Sequence, residues 1–275
     1  MSNTIFALYF SPTKNTEKCV RALAKGMADI LTRGDYFAID LTNPEARESV
    51  YEFGPEDILI VGMPVYAGRV PNKIAPFITE SIFGDATPAI TLVTYGNRAY
   101  DDSLKELSGI LYENGCDIKG AIAALGEHSF SDKLATGRPN KDDLDAIAAY
   151  GNKLAKALQK GSAKDIKVST LPGRDLDKLE YYVPLKKEGT PAKFLKALVD
   201  TDETLCTKCG ACREICPMGN FNVSLTEATG TCIKCQGCIK ACPVGAKRFT
   251  DEDLLSHIKM IEDTYGSLTR EIEFF

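Results

Sequence analysis

Eight of the ten cysteines in this 275-residue chain lie between positions 206 and 242. They write C-x2-C-x2-C-x3-C-P twice: Cys206, Cys209, Cys212 and Cys216 before Pro217, then Cys232, Cys235, Cys238 and Cys242 before Pro243. Every member of the second set is displaced by 26 positions from the first, and Lys208, Pro217 and Gly219 recur at that offset as Lys234, Pro243 and Gly245. Two-residue gaps let a tight loop set three thiolates on the corners of an iron–sulfur cubane. The fourth cysteine, three residues further on, does not reach the same cube and serves the other one. One cluster is therefore expected on Cys206, Cys209, Cys212 and Cys242, and a second on Cys216, Cys232, Cys235 and Cys238. The prolines turn the chain away after each fourth ligand. Zinc sites and disulfides are the competing readings. Zinc does not need three closely spaced cysteines followed by Cys-Pro, twice over. Disulfides need an oxidising compartment, which the N-terminus does not suggest.

Elements that position such a site must come from the rest of the chain. Residues 1–160 alternate short apolar runs with helical patterns, the signature of a doubly wound α/β domain. Strands are expected at Ile5–Phe10, Tyr36–Leu41, Ile58–Val61, Ala89–Tyr95 and Ile118–Leu125. Helices are expected at Thr13–Leu31, Ile74–Phe83, Asp102–Asn114 and Lys141–Gln159. The last of these carries Ala146, Ile147, Tyr150, Leu154, Ala155 and Leu158 on one face. Five strands with intervening helices match the flavodoxin-like count, a parallel sheet of order 2-1-3-4-5. Residues 161–200 read as a linker punctuated by Gly and Pro, in which Tyr181-Tyr182-Val183 could dock. Residues 201–275 hold the cysteine repeat and end in a helix over Asp251–Tyr265.

In such a sheet, ligands bind beyond the carboxyl ends of the strands. Ser11-Pro12-Thr13-Lys14-Asn15-Thr16 follows the first strand and runs into a helix, where hydroxyls and backbone N–H groups make a phosphate cradle. Gly62 to Pro71 follows the third strand and Thr94 to Asp102 the fourth. Both offer glycine for close approach and tyrosine for stacking.

The cysteine segment resembles the bacterial two-cluster ferredoxins over about residues 201–250, although Pro217-Met218-Gly219-Asn220-Phe221 departs from the small-then-aliphatic pair common there. The first loop resembles the flavodoxin phosphate loop, with Lys14 where that family often has Gly. Together, and with Gly137-Arg138-Pro139, the chain resembles flavodoxin–ferredoxin fusion proteins, also called iron–sulfur flavoproteins, over nearly its whole length. That resemblance implies FMN and two 4Fe–4S clusters, and a small α+β ferredoxin domain after the flavodoxin-like one. It implies that Ser11, Thr13, Lys14, Asn15 and Thr16 hold the phosphate. Pro64, Val65, Tyr66, Ala67 and Gly68 would line one side of the flavin ring, and Thr94, Tyr95, Gly96, Asn97, Tyr100 and Asp101 the other. The Gly68 peptide is the candidate for the contact to flavin N5.

Other residues carry less. His128 follows the fifth strand on the ligand edge and reads as a satisfied loop histidine. His257 reads as exposed on the last helix, and Cys19 and Cys116 as core residues. The chain is 44% hydrophobic and 26% charged with a formal net charge of −5, ordinary for a soluble globular protein. Both flanks are acidic and the segment between them weakly basic, so no part has the basic excess of a nucleic-acid binder. An acidic surface suits a partner with a basic docking face. Met1 to Phe10 has no basic n-region and no run approaches a membrane span. The cytoplasm is therefore expected, in an anaerobic host, and a homodimer is compatible with the sequence. Three function classes follow: an electron carrier serving a protein redox partner, a flavin-dependent oxidoreductase reducing a quinone, nitro compound or oxygen species, and a redox-sensing regulator. No GxGxxG fingerprint follows a strand, which argues against a dedicated nicotinamide site.

Overall fold

The computed structural model describes residues 4–275; the first three positions of the N-terminal stretch read against a signal peptide lie outside them. The first half runs β1 (Thr4–Tyr9), α1 (Asn15–Leu31), β2 (Phe37–Asp40), β3 (Tyr51–Phe53), β4 (Asp57–Pro64), α2 (Ala75–Ser81), β5 (Ile82–Gly84), β6 (Thr87–Tyr95), α3 (Ser103–Glu113), β7 (Cys116–Leu125) and α4 (Lys141–Gln159). The second half has only short elements before its last helix: β8 (Asp200–Thr201), α5 (Ala211–Glu214), α6 (Gly237–Lys240), β9 (Lys247–Arg248), α7 (Glu252–Tyr265) and β10 (Glu273–Phe274).

The central sheet has the order β10-β7-β6-β4-β1-β2. Its five parallel strands follow the flavodoxin-like arrangement expected from the sequence. One strand was not expected. β10 adds antiparallel to β7, with Glu273 opposite Ala123 and Phe274 opposite Ile122. The chain thus leaves this sheet after α4 and returns to it at its end. A second difference lies at the end of α2, expected to run to Phe83. The helix stops at Ser81, and Ile82–Gly84 pairs in parallel with β3 in a two-stranded side sheet. β-Branched Ile82 followed by Phe and Gly is a poor helix terminus and a workable short strand.

Apart from the exposed edge strand β2, the parallel strands are buried on both faces, so they read as continuous apolar runs rather than as alternation. Leu8, Leu59, Val61 and Met63 face a core shared with α2 and α3. Ile5, Ala7, Ile58 and Ile60 face the opposite core beneath α1 and α4. Gly26 lets the two outer helices cross closely, since a Cβ there would run into the carbonyl of Ala148. Cys19 and Cys116 lie in these cores, as expected.

Residues 161–200 do more than connect. Arg174 pairs with the buried carboxylate of Asp102 at 3.0 Å. Tyr181 and Tyr182 lie under the guanidinium groups of Arg69 and Arg98, at 4.6 and 4.0 Å from the ring centroids. The segment starts at the amino end of β7, where the Ile166 amide donates to the Ile118 carbonyl, and from Gly173 to Tyr182 it straps the carboxyl edge of the sheet. α7 is capped by Asp251, whose side chain accepts from the amide of Leu254. His257 is buried on it, contrary to the expectation of exposure. Its ring stacks on Phe194 and its Nδ1 lies 2.8 Å from the carbonyl of Leu185, so the strap covers the face left open in the sequence pattern.

Candidate functional site

The cysteine repeat folds as two copies of one backbone. Lys208 and Lys234 share a left-handed conformation (φ 57° and 56°), as do Gly210 and Gln236, and Gly219 and Gly245. Each copy then makes one helical turn, α5 or α6, that carries its third cysteine. At the fourth, the Cys216 sulfur accepts from the Asn220 amide at 3.4 Å, and the Cys242 sulfur from the Ala246 amide at 3.2 Å. All ten cysteines are free thiols.

The eight cysteines border two hollows. Cys206, Cys209, Cys212 and Cys242 stand around one, with Leu225, Val244 and Lys247. Cys216, Cys232, Cys235 and Cys238 stand around the other, with Phe221, Ile233 and Phe249. Each hollow thus takes three sulfurs from one repeat and one from the other, the exchange that two clusters require. Among the described residues, no three His, Cys, Asp or Glu side chains converge on a single metal ion.

Four soft thiolate donors around a space of this kind suit an iron–sulfur cluster chemically. Burial raises the Cys235 thiol to about 12 and raises Cys238 as well. Burial also acts to raise Cys242, but the amides of Val244, Ala246, Lys247 and Gly245 outweigh it and the net shift is downward. Loading a metal must therefore release protons from the deeper thiols.

The loop after β1 takes the form of an anion cradle in its backbone. Lys14 adopts φ 68°, the left-handed conformation for which glycine is the usual choice, and closes on the Ser11 carbonyl at 3.1 Å. The amides of Thr13, Asn15 and Thr16 donate to no group among the described residues. The side chains are mostly engaged elsewhere. Ser11 Oγ accepts from the Glu17 amide at 3.0 Å, and the Asn15 amide donates to the Glu127 carbonyl at 2.9 Å. The Thr16 and Thr94 hydroxyls share a 2.6 Å bond, and Lys14 Nζ lies 3.1 Å from Glu17 and 3.6 Å from Asp40. An anion there would be met by backbone N–H groups more than by the side chains singled out from the sequence.

The other two loops lie alongside. Pro64 ends β4, and the Val65 amide donates to the Thr94 carbonyl at 2.9 Å. Tyr66 to Arg69 is a tight turn with Ala67 and Gly68 at positive φ. The Gly68 carbonyl accepts from the Asp102 amide at 2.9 Å, and a Cβ at Gly68 would collide with the Asp101 carboxylate. Asp101 in turn pairs with Arg98.

Tyr95 is buried edge-on to Tyr100, whose hydroxyl donates to Glu273 at 2.9 Å. The Asn97 amide donates to the carbonyls of Tyr265 and Leu268 at 2.8 and 2.9 Å. Gly96 packs on the ring of His128, a contact no β-carbon would allow. His128 Nδ1 accepts from the Phe130 amide at 3.0 Å, and burial, helped by the nearby His257 and Lys240, lowers its pKa to about 4. It is a neutral loop histidine whose Nδ1 is engaged by the Phe130 amide. Arg138 is engaged by the carboxylate of Asp143.

The second hollow abuts this edge of the sheet. Gly237, at the start of α6, packs on Pro12, whose carbonyl would stand 3.1 Å from a Cβ there. Arg47 donates to the carbonyl of Pro217, Lys240 pairs with Glu127 at 2.7 Å, and Ile233 packs against the sheet core. The Tyr66 phenol is held far above its ordinary pKa by burial, with the Cys235 and Cys232 thiols adding to it. Pro12 thus packs on the helical turn that carries Cys238. The first hollow is bordered only by residues of the 206–247 segment.

Tyr181-Tyr182-Val183 was singled out from the sequence, whereas Arg47, Glu127, Lys240 and the strap's Arg174 were not. Their partners lie tens to more than a hundred positions away, and no local spacing marks such pairs. Asn220 and Gln236, which also line the second hollow, did leave a signal, because they break the repeat where its first copy has Gly210 and its second has Ala246.

Residues 199–221 and 229–245 each match a 4Fe-4S binding domain family. These two segments contain all eight motif cysteines. No curated protein matches the chain. Among solved structures, an archaeal flavodoxin is 14% identical, with 57% of this chain and 99% of that one covered and a TM-score of 0.41. A flavodiiron core from Synechocystis sp. is 18% identical over 58% of this chain and 36% of that one, TM-score 0.41. The rubredoxin oxygen:oxidoreductase of Desulfovibrio gigas is 17% identical over 60% and 38%, TM-score 0.39. The chain thus spans little more than a third of either of these two larger proteins. Strand order, rather than such overlaps, defines the fold class.

Proposed function

We propose that the protein is an electron relay, with FMN at the carboxyl edge of the sheet and two 4Fe–4S clusters on the cysteine repeat. Cys206, Cys209, Cys212 and Cys242 hold one cluster, and Cys216, Cys232, Cys235 and Cys238 the other. The amides of Thr13, Asn15 and Thr16 take the flavin phosphate, and the loops at Pro64–Gly68 and Thr94–Asp101 flank the ring. A bound flavin supplies exchange between two-electron and one-electron donors. The observation that carries the reading is the seating of the second hollow on the sheet edge, through Gly237 on Pro12 and Ile233 against the sheet core.

The chain's own part is to hold two carriers at fixed separation. Joining them raises the local concentration of one at the other without any new contact. The domain limits we infer are 1–160 for the flavin domain, 161–200 for the strap and 201–275 for the cluster domain with its returning tail. The first hollow, with Cys209 exposed, is the side open to a protein redox partner. No helix of the described residues is long and apolar enough to cross a membrane.

Iron, sulfide and flavin analysis of anaerobically purified protein tests the proposal, with EPR after dithionite reduction. About eight irons and one flavin per chain, with coupled spectra from two reduced clusters, are the expected result. Eight irons without flavin would remove the flavin half of the proposal, and zinc in place of iron would overturn all of it. Steady turnover of a small molecule without a carrier protein would move the assignment from relay to enzyme.

A further inference from the structure

The two hollows are copies in backbone, and among the side chains that differ between them two are uncharged amides. Around the first, the positions 26 apart hold Gly210 and Ala246; around the second they hold Gln236 and Asn220. Gln236 is 6% exposed and Asn220 4%, so both are more than nine-tenths buried. Gln236 Nε2 and Asn220 Oδ1 are the two buried side-chain polar atoms without a hydrogen-bond partner among the described residues. Gln236 also holds φ 65°, a conformation that its counterpart Gly210 adopts freely. A buried amide kept without a partner and in a disfavoured backbone state indicates a partner outside the chain.

The sulfurs of an iron–sulfur cluster, thiolate and sulfide alike, only accept hydrogen bonds. Facing them, an amide presents its NH2 end, and Asn220 can do so by a half-turn of its terminal torsion. We propose that Gln236 and Asn220 donate N–H···S hydrogen bonds to the cluster held by Cys216, Cys232, Cys235 and Cys238, and thereby raise its reduction potential. Reduction adds negative charge to the acceptor, and a hydrogen bond to a more negative acceptor is stronger, so the donors favour the reduced form. Burial opposes this, because a low-dielectric site disfavours added charge. The two amides offset that cost at the hollow that lies against the sheet edge. The inference rests on the two-cluster reading above.

The test uses the full chain, loaded anaerobically with iron and sulfide, checked for about eight irons, and titrated potentiometrically with EPR detection. Q236G and N220A give these two positions the residues of their counterparts, Gly210 and Ala246, and the glycine relieves the left-handed strain. Each is expected to lower the midpoint of one cluster, the same in both variants, and to leave the other unchanged. At fixed potential the reduced-to-oxidised ratio of that cluster should fall about tenfold, or ~59 mV for a one-electron couple. G210Q is the converse: a Cβ at Gly210 meets nothing nearer than the Glu214 carboxylate at 4.0 Å, so a glutamine meets only the left-handed backbone cost that Gln236 already bears, and it should raise the other midpoint. Q236G with full iron and unaltered midpoints overturns the inference. Should Q236G lose iron, a G210Q protein with an unmoved midpoint overturns it instead. Wild-type protein without eight irons removes the two-cluster reading itself, an outcome visible before any midpoint is measured.

Discussion

Residues around β4 and residues around Cys232 are both well packed, but different interactions hold them. In β4, Ile58 to Met63 are buried on a ladder of parallel strands, with apolar side chains filling both faces of the sheet. The cysteine region has no comparable ladder. Its named elements are two strands of two residues and two single helical turns. Its core is Phe221, Leu225, Phe249, Leu254, Ala197 and Val199, completed by Cys212 and Cys238 themselves. A segment this small buries too little apolar surface to offset the entropy of ordering its loops. Where the sheet domain carries its order in its own side chains, the repeat draws on two of its own cysteines to complete its core.

The largest expected effect follows from that contrast. Removing iron from the loaded protein should erase hydrogen-exchange protection over residues 199–249 while leaving β1, β4 and β6 protected. Structural metal sites contribute on the order of 10 kcal/mol to the segments they fold. Hydrogen exchange read by mass spectrometry, before and after anaerobic chelation, checks it. Equal protection of 199–249 with and without iron would erase the distinction between the two regions.

The same contrast explains what could be read from the sequence. The sheet was legible because a doubly covered parallel strand must be an unbroken apolar run, as at Ile58-Leu59-Ile60-Val61, and such runs stand out between helical patterns. The cysteine sets were legible because cluster geometry dictates local spacing. What escaped was whatever depends on long-range packing. β10 is a two-residue strand that no periodicity can mark, and it exists because the edge of β7 lies within reach of the returning tail. His257 looked exposed because the strap that covers it, through Phe194 and Leu185, has no regular structure. Lys14 shows the reverse case, a residue where the family pattern has glycine that takes the left-handed conformation regardless.

The next effect sits at the seam between the regions. His128 packs half-buried under Gly96 of the 90s loop, and desolvation there, with His257, Lys240 and Arg98 adding positive charge and Glu262 opposing them, lowers its pKa to about 4 from an ordinary 6.5. The unfolded chain then binds a proton between pH 6.5 and 4 that the folded chain refuses. The stabilisation is fully present above pH 6.5 and is lost as the pH falls toward 4, by an amount on the order of 3 kcal/mol. Urea midpoints of the sheet domain at pH 7 and pH 4.5 measure it. Comparison with His128→Asn separates this loss from the titration of carboxylates common to both proteins. Equal acid losses in the two would show that the fold does not hold His128 neutral.

The smallest effect concerns the most visible contact between the regions, the ion pair of Lys240 with Glu127 at 2.7 Å. The hydrogen bond from Lys240 is the largest cause of the lowered Glu127 pKa, followed by burial, which opposes it, and by the Gly137 amide. Both side chains remain about one-third exposed, at 33% and 29%, so water and salt screen the attraction. The seat of the cysteine region depends instead on Gly237 against Pro12, on Ile233 in the sheet core and on the Arg47 bond to the Pro217 carbonyl. Lys240→Met keeps the apolar stem and removes the charge. It should cost less than ~1 kcal/mol, and less still in high salt. Hydrogen-exchange protection at α6 and the iron content should stay at wild-type values. A loss of protection across α6 in Lys240→Met would mean that the two regions are joined by charge rather than packing. In that case the spacing of the two regions would depend on ionic strength, whereas a seam held together by packing predicts that it does not.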